Sequence, residues 1–185
     1  MNSSSAFNNI NAVKFYIATQ WGVLSNSGAD SVAWGPGDVQ IEATPGNDGN
    51  LYNEVDGMSG DVLLCATPII SNWTVSLHFL YKSKTYCKFS YLMQKEYEAM
   101  MAGEKTGWYN FRLEDYNDMD EFQEGITSPQ AKLLTIPGKQ WGAGIDGDAT
   151  FTFKLLKATY TAPGYDPEVI PPIDSEFPLR NEDNG

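Results

Sequence analysis

The residues of this sequence best suited to chemistry are six carboxylates that fall within eleven positions, residues 114–124, with no basic residue among them. Carboxylates at this density could bind a hard cation such as calcium, serve as an acid/base pair in catalysis, or form a repulsive surface. The six are Glu114, Asp115, Asp118, Asp120, Glu121 and Glu124. The rest of the chain has to decide between these three uses.

The spacing of the carboxylates does not match a calcium-binding EF-hand loop. Such a loop needs oxygen ligands at positions 1, 3 and 5, glycine at position 6 and a carboxylate at position 12. Counted from Asp115, position 5 is Met119 and position 6 is Asp120; counted from Asp118, position 5 is Phe122. Neighbours on a loop also lack the defined separation across a cleft that glycoside hydrolysis needs. The spacing favours a solvated acidic surface, and no metal or cofactor is predicted.

The single histidine, His78, follows Ser76 by two positions, so on a strand both side chains would point the same way. Nothing like a nucleophile elbow or an oxyanion loop surrounds the pair. The glycines of residues 142–148 precede a predicted strand rather than a helix, so they do not form a dinucleotide-binding loop. A surface or interface histidine is predicted, and the chain is expected not to be an enzyme.

The composition predicts one folded domain with little affinity for nucleic acid. The chain has 185 residues, 42% of them hydrophobic and 13% aromatic, which is enough for one packed core. With 24 acidic against 12 basic residues, the formal charge of −12 repels phosphate. Residues 1–81 contain one basic residue, Lys14, and a basic cluster follows that could face an acidic surface of another copy. This basic complement consists of Lys82, Lys84 and Lys88, with Lys95 beyond it.

Neither a membrane span nor a secretory signal is recognisable in the sequence. No apolar run reaches about 18 residues, and the first residues lack the basic and apolar segments of a signal peptide. The sequence therefore predicts synthesis in the cytosol. Two cysteines, Cys65 and Cys87, are too few for a disulfide framework and are predicted to be reduced thiols.

Period-two alternation of apolar and polar residues predicts a mainly β domain. The clearest strand covers residues 73–81, where Trp73, Val75, Leu77 and Phe79 share one face. Strands of this kind need a sheet with one face in a core. Further strands are predicted over residues 13–24, 38–44, 62–67, 106–115, 132–138 and 149–160.

One helix is predicted, over about residues 89–103. Ser90 can cap its start, and Gly103 stands where a C-cap belongs. Apolar residues at three- and four-residue spacing predict the face that packs on the sheet. That face would consist of Phe89, Leu92, Met93, Tyr97, Met100 and Met101.

Three segments fall outside regular structure in this interpretation. Residues 44–61 contain four glycines and form a predicted long loop, and loops of this length usually contact a partner. Residues 1–12 form a predicted flexible arm. Residues 161–185 hold five of the ten prolines and six acids, and form a predicted extended acidic tail. The single domain would then cover residues 13–160.

In the order of its elements the chain resembles the tail-tube proteins of contractile-tailed bacteriophages. The resemblance covers about residues 13–160: a first antiparallel strand, the long loop, a hairpin through VLLCATPIISNWTVSLHFLY, the helix FSYLMQKEYEAMMAG, a strand that opens TGWYNFRLED, and a final pair that ends ATFTFKLLKATY. It implies an antiparallel β-sandwich or barrel with one flanking helix. The acidic tail and the longer N-terminal lead depart from the family, and leave open a related tube-initiating or tube-terminating ring protein.

The resemblance also implies a function, that of a structural virion protein whose hexameric rings stack into a tail tube. Partners would be further copies and other tail proteins such as sheath and baseplate, in a virion assembled from protein made in the host cytoplasm. DNA would pass an acidic interior without specific binding, and no membrane would be involved. The six carboxylates would face this lumen or the basic residues of a neighbour. Contact with the next ring would fall to Asn47, Asp48, Asn50, Leu51, Tyr52, Asn53 and Glu54.

A second interpretation is a β-sandwich carbohydrate-binding module. Exposed aromatic residues such as Trp34, Trp108 or Trp141 would stack on sugars, and the acidic stretch would hold calcium.

Overall fold

The computed structural model describes residues 10–26, 32–36, 38–56, 62–67, 71–116, 124–135, 137–138 and 147–161. The fold is mainly β and antiparallel with one flanking helix, as the sequence predicts. Two short 3-10 turns occupy Ile10–Ala12 and Gly46–Gly49. The main elements are β1 (Val13–Thr19), β2 (Gly22–Ser25), β3 (Ile41–Pro45), β4 (Tyr52–Asp56), β5 (Val62–Ala66), β6 (Trp73–Leu80), α1 (Lys84–Met101), β7 (Tyr109–Asp115), β8 (Glu124–Thr135), β9 (Asp148–Leu156) and β10 (Thr159–Thr161).

Eight of these strands form one curled sheet in the order β2-β1-β7-β8-β9-β6-β3, with β10 paired to β8. Strands β1 and β6 stand four positions apart, which in a flat sheet would separate them by about 19 Å. Yet the rings of Phe15 on β1 and Phe79 on β6 lie 6.2 Å apart, centroid to centroid. The sheet therefore bends round on itself, giving the barrel-like form that the sequence predicts.

Helix α1 fills the concave side of this sheet with an aromatic side chain. The Phe89 ring lies 4.5 Å from Phe79, 5.3 Å from Phe151 and 5.9 Å from Phe15. Phe79 and Phe151 are fully buried, as the alternation in β6 and β9 predicts. The core therefore joins the helix to strands from both halves of the sheet.

The helix begins earlier than predicted and buries a different face. Ser83 is the N-cap and its Oγ accepts a hydrogen bond from the Tyr86 amide at 3.1 Å, whereas Ser90 lies inside the helix. The predicted stop at Gly103 is correct, because its φ of 70° suits glycine at the end of a helix. Half of the predicted inner face is wrong, because Tyr97, Met100 and Met101 are exposed. The buried helical residues are Thr85, Tyr86, Phe89, Leu92, Glu96 and Ala99.

Strand β8 is longer than predicted, since it starts at Glu124 rather than near residue 132. The additional part of the strand includes Pro129. The register of β7 against β8 shifts between Tyr109 and Phe111, so that Asn110 faces both Pro129 and Gln130 and β8 bulges at the proline. The Ser128 hydroxyl donates to the Leu156 carbonyl at 2.7 Å and holds the irregular segment in place. A bulge is where a strand tolerates a proline.

Two other predicted strand arrangements are wrong. Residues 13–24 form two strands joined by a turn at Gln20 and Trp21, with Thr19 paired to Gly22. The predicted hairpin of β5 with β6 does not form, because β5 pairs with β4 and β6 lies between β3 and β9. The segment predicted as a long loop, residues 44–61, contains a 3-10 turn and strand β4.

Candidate functional site: assembly surfaces

Ser76 and His78 each hydrogen-bond across to strand β9. The Ser76 hydroxyl lies 3.1 Å from the Thr152 hydroxyl. His78 Nδ1 lies 3.0 Å from an Asp148 carboxylate oxygen and 3.0 Å from the Thr150 hydroxyl. Both side chains thus belong to cross-strand hydrogen bonds between β6 and β9, and they do not form a nucleophile and its base.

Three of the six acidic residues lie in strands: Glu114 and Asp115 in β7, as the predicted strand over residues 106–115 implies, and Glu124 in β8. Asp115 at the end of β7 pairs in register with Glu124 at the start of β8, and Glu114 pairs with Gly125. All three carboxylates are partly buried. The other three acids, Asp118, Asp120 and Glu121, lie outside the described residues. Of these three acids only Glu124 departs from its expected place, because β8 begins there; the use of the acids as a lumen or interface surface stays a prediction.

Tyrosine hydroxyls bind two of these carboxylates. Tyr116 donates to Glu114 and Tyr160 donates to Glu124, each at 2.9 Å. These hydrogen bonds are the main reason that the pKa values of both tyrosines are raised. Across the described part of the chain, no group of three or more His, Cys, Asp and Glu side chains comes close enough together to hold a metal ion.

A groove of about 390 Å³ is lined by residues of six strands of the main sheet, including Asp115 and Glu124. Its walls are apolar and its rim carries two carboxylates, so it would favour an apolar ligand without negative charge. Its lining is contributed by Val13, Ile41, Ala43, Trp73, Leu113, Asp115, Glu124, Gly125, Ile126 and Tyr160.

The hairpin formed by β4 and β5 projects its residues into solvent. All ten residues of the two strands are exposed, although several are large and apolar. Leu64, for example, is 63% exposed and Leu63 59%. A two-stranded hairpin is at best marginally stable by itself in water. This hairpin therefore presents apolar surface that a partner could cover.

Side chains of the hairpin divide between two faces, because paired residues point the same way and neighbours along a strand alternate. One face carries both acids of β4 beside apolar residues of β5; the other carries apolar residues and a thiol. The acidic face consists of Tyr52, Glu54, Asp56, Val62, Leu64 and Ala66. The neutral face consists of Asn53, Val55, Leu63 and Cys65.

The residues predicted to contact a partner take two different roles in the hairpin. The Asn47 side-chain amide donates to the Asn50 carbonyl at 3.0 Å and to the Asn53 side chain at 3.1 Å, so these residues secure the base. Leu51, Tyr52 and Glu54 are exposed on or beside the hairpin. Asp48 has a positive φ of 51° within the 3-10 turn.

Sequence reasoning missed the apolar residues of β5 as surface residues. A continuous apolar run of this kind normally indicates a buried strand. In the structure this apolar run forms strand β5, and all of its residues are exposed in the single chain. The missed residues are Val62, Leu63 and Leu64.

The outer side of helix α1 carries the predicted basic residues in one row. Lys84, Lys88, Tyr91 and Lys95 recur at helical spacing and form a row along one flank of the buried face. Tyr91 is 55% exposed between the lysines. The Lys95 ammonium lies 2.9 Å from Glu98, which raises the pKa of Lys95. Lys82 precedes the helix, with its ammonium 5.6 Å from the centre of the Tyr81 ring.

A buried polar cluster fixes this helix to the sheet. The Glu96 carboxylate accepts hydrogen bonds from the Tyr109 hydroxyl, from the Thr106 hydroxyl at 2.9 Å and from the Lys132 ammonium at 2.9 Å. Tyr109 lies on β7 and Lys132 on β8, so one carboxylate joins the helix to both strands. The cluster sets the position of the basic row on the outer side.

Of the tryptophans proposed to stack on sugars, the two that the structure describes, Trp34 and Trp108, differ in their exposure. Trp34 stacks on Phe79 with ring centroids 5.4 Å apart and packs against the core. This burial contradicts its predicted exposure. Trp108 is exposed, and Trp141 lies outside the described residues.

The main sheet ends in strands β2 and β3, which have one neighbour each in the described part of the chain. The Asn26 backbone N–H donates to the Phe15 carbonyl at 3.4 Å, and the Phe15 N–H donates to the Asn26 side-chain oxygen at 2.7 Å, so the backbone N–H of residue 26 points at β1. In an antiparallel ladder this direction alternates along the strand, so Leu24 points its amide at β1 and Val23 points its amide outward. Strand β3 ends at Pro45, a residue that edge strands tolerate.

Comparison with solved structures finds a likeness to components of contractile injection systems. The chain is similar to a chain of the six-fold-symmetrised baseplate of the anti-feeding prophage, with 11% identity, 87% of this chain and 94% of the other covered, and a TM-score of 0.44. It is similar to a chain of an extended sheath–tube complex of an extracellular contractile injection system, PVC, with 10% identity, 86% and 94% covered, and a TM-score of 0.47. It is also similar to a chain of the anti-feeding prophage tube-terminating cap, with 12% identity, 74% and 97% covered, and a TM-score of 0.40.

No protein-family profile matches the chain, and no curated protein matches its sequence. Within the described residues, no helix is long and apolar enough to cross a membrane. At these identities and TM-scores, the function of the chain has to be argued from its own residues.

Proposed function

We propose that this protein is a structural, self-assembling component of a contractile tail, whose copies form rings that stack into the tail tube or begin or end it. One observation carries the proposal: the β4–β5 hairpin exposes large apolar residues on both of its faces. Exposed apolar surface of this kind marks an interaction site. A protein that performs its function as a monomer has no use for it.

Ring formation would use the two edges of the main sheet. Strand β2 at one edge and strand β3 at the other can pair with the opposite edges of neighbouring copies. Such a contact joins two different patches. It closes into a ring when a whole number of copies completes a rotation of 360°. Closure also removes the open edges, which are otherwise a site of aggregation. A ring of six copies follows from the family resemblance.

Stacking of rings would use the hairpin. Leu51, Tyr52 and Glu54 belong to this contact, with Asn47, Asp48, Asn50 and Asn53 holding or flanking its base. The apolar residues of β5 add the larger part of the buried area. Other tail proteins, such as sheath and baseplate, would meet the outside and the ends of the same tube.

The acidic charge would serve the interior of the tube. DNA must pass without adhering, and carboxylates within a Debye length of about 8 Å at physiological ionic strength repel phosphate. Glu114, Asp115 and Glu124, with the neighbouring acids of residues 118–121, are proposed for this surface. The protein would be made in the host cytoplasm and reside in the tail of the particle, without an enzymatic activity.

The size of the purified full-length protein tests this proposal. Light scattering and negative-stain electron microscopy are expected to find rings or tubes at high protein concentration. A strict monomer under the same conditions would overturn the proposal.

A further inference from the structure

We infer that the β4–β5 hairpin of one copy docks on the outer side of helix α1 of a second copy, with its acidic face toward the row of lysines on that helix. This inference rests on the proposed function, because it names the surface that receives the hairpin in the assembly. It concerns two surfaces that are both exposed in the single chain.

The hairpin needs a partner that tolerates negative charge. Glu54 and Asp56 share one face with Val62 and Leu64, so any surface that covers these apolar residues also meets two carboxylates. Residues 38–66 contain no lysine or arginine, so the hairpin has no basic residue of its own to neutralise them. The partner must therefore supply both apolar area and positive charge.

Helix α1 offers both. Lys84 and Lys88 are exposed one turn apart, and Tyr91 adds exposed aromatic area in the same row. Lysine stems themselves cover apolar surface while their ammonium groups reach the carboxylates. The helix surface thus complements the hairpin in charge and in polarity.

The groove beside β7 and β8 is a poorer receptor for the same hairpin. Asp115 and Glu124 stand at its rim, and they would face Glu54 and Asp56 across the contact. Like charges brought together at an interface disfavour it. Charge therefore selects the helix rather than the groove.

Two cysteines make the contact measurable, since Cys87 lies on α1 beside the lysine row and Cys65 lies on the neutral face of the hairpin. Leu64 lies on the acidic face next to it. We would compare the unaltered chain with a C65S/L64C variant under mild oxidation. The variant is expected to form a ladder of disulfide-linked oligomers, because each copy offers one thiol from the hairpin and one from the helix.

Matched controls identify the thiols. Addition of Cys87→Ser to the variant is expected to abolish the ladder. The unaltered chain is expected to link more slowly, because Cys65 points to the opposite face. A ladder that persists without Cys87, or one that forms equally fast from Cys65, would overturn the docking geometry.

Charge reversal supplies an independent test by light scattering. Glu54→Lys with Asp56→Lys is expected to abolish hairpin-dependent stacking, and so is Lys84→Glu with Lys88→Glu. The four substitutions together are expected to restore stacking. Lys157→Glu, at an exposed site directly after β9, should have no effect. Assembly that is insensitive to all of these changes would overturn the inference and leave the proposed function intact. A strict monomer for the unaltered chain would overturn both.

Discussion

At the scale of single residues, Glu96 is the most informative side chain because it is charged and buried at the junction of helix and sheet. Burial by itself would raise the pKa of its carboxyl, but the hydrogen bonds from Tyr109, Lys132 and Thr106 outweigh burial and hold the pKa below its usual value of 4.5. Burial and the bond to Glu96 also raise the pKa of the Tyr109 hydroxyl. The ionised carboxylate is thus part of the folded state.

The lowered pKa of Glu96 determines how the free energy of unfolding changes with pH. A carboxyl whose pKa is lowered by folding contributes stability above its ordinary value, and the contribution is lost as the pH falls through the folded value. We expect Glu96→Gln to lower the free energy of unfolding by about 1 to 3 kcal/mol at pH 7, because Lys132 loses its ionic partner. Urea unfolding at several pH values measures the effect.

The variant should also be less sensitive to acid below pH 4.5 than the unaltered chain, because it has no carboxyl to protonate at position 96. Glu98→Gln is the control, since Glu98 is exposed on the outer side of the same helix and pairs only with Lys95 and Gln94 there. It should leave the stability nearly unchanged. Equal losses in both variants would show that helix charge, rather than the buried cluster, is responsible.

The acids of residues 118–121 lead to a second prediction at this scale. Asp118→Asn, Asp120→Asn and Glu121→Gln together should leave the thermal midpoint nearly unchanged or slightly higher, because removal of like charges relieves repulsion. Thermal unfolding followed by circular dichroism, with and without calcium, measures this. A large loss of stability in the variant, together with stabilisation by calcium of the unaltered chain but not of the variant, would contradict the account of a repulsive surface.

At the scale of elements, the start of helix α1 distinguishes two serines. Ser83 accepts the amide hydrogen bond of Tyr86, so Ser83→Ala should cost about 1 kcal/mol. The Ser90 hydroxyl is buried and finds no hydrogen-bond partner in the described part of the chain. Ser90→Ala should therefore be neutral or stabilising. Chemical denaturation of the two variants checks the pair, and a larger loss for Ser90→Ala would contradict the helix start at Lys84.

The strand pattern of β6, β7 and β9 could be read from the sequence because each of these strands has one face in the core. Phe111 and Phe153 alternate with exposed or half-buried polar residues, and the structure buries them as expected. The start of β8 could not be predicted, because Pro129 is tolerated only through a bulge that depends on the partner strand. Such a bulge has no local signal.

The surfaces were harder to predict than the core. The Met100 and Met101 pair has the spacing of a core face, yet both are exposed because the helix is rotated so that Glu96 faces the sheet. Hydrophobic periodicity alone cannot place a buried carboxylate whose partners come from β7 and β8. Likewise, the apolar run of β5 resembles a core strand, and only the tertiary structure places it on a projecting hairpin.

The hairpin gives a prediction about association rather than folding. Val62→Thr with Leu64→Thr keeps β propensity but removes apolar area from the acidic face. Both residues are exposed, so the thermal midpoint should change little. Stacking should weaken by about 2 to 4 kcal/mol per contact, which corresponds to about 30- to 1000-fold in the dissociation constant. Analytical ultracentrifugation measures the change, and unaltered association would contradict a role for this face.

At the scale of the whole molecule, a formal charge of −12 must be reconciled with self-association. Copies of such a chain repel one another unless their contacts are local and specific. Backbone hydrogen bonds between strand edges meet this need, because they add no charge. The hairpin and the lysine row would add an attractive pair within an otherwise repulsive surface, which limits association to one geometry.

The edge contact predicts different outcomes for proline substitutions at two neighbouring positions of β2, Val23 and Leu24. Val23 points its amide outward, so Val23→Pro should leave the pairing of β1 with β2 intact and remove a donor from the edge. Leu24 points its amide at β1, so Leu24→Pro should break the ladder and lower the thermal midpoint of the monomer. Light scattering should find that V23P no longer forms rings while its circular dichroism spectrum is unchanged. Rings that form normally from folded V23P protein would show that the ring closes through a surface other than this edge.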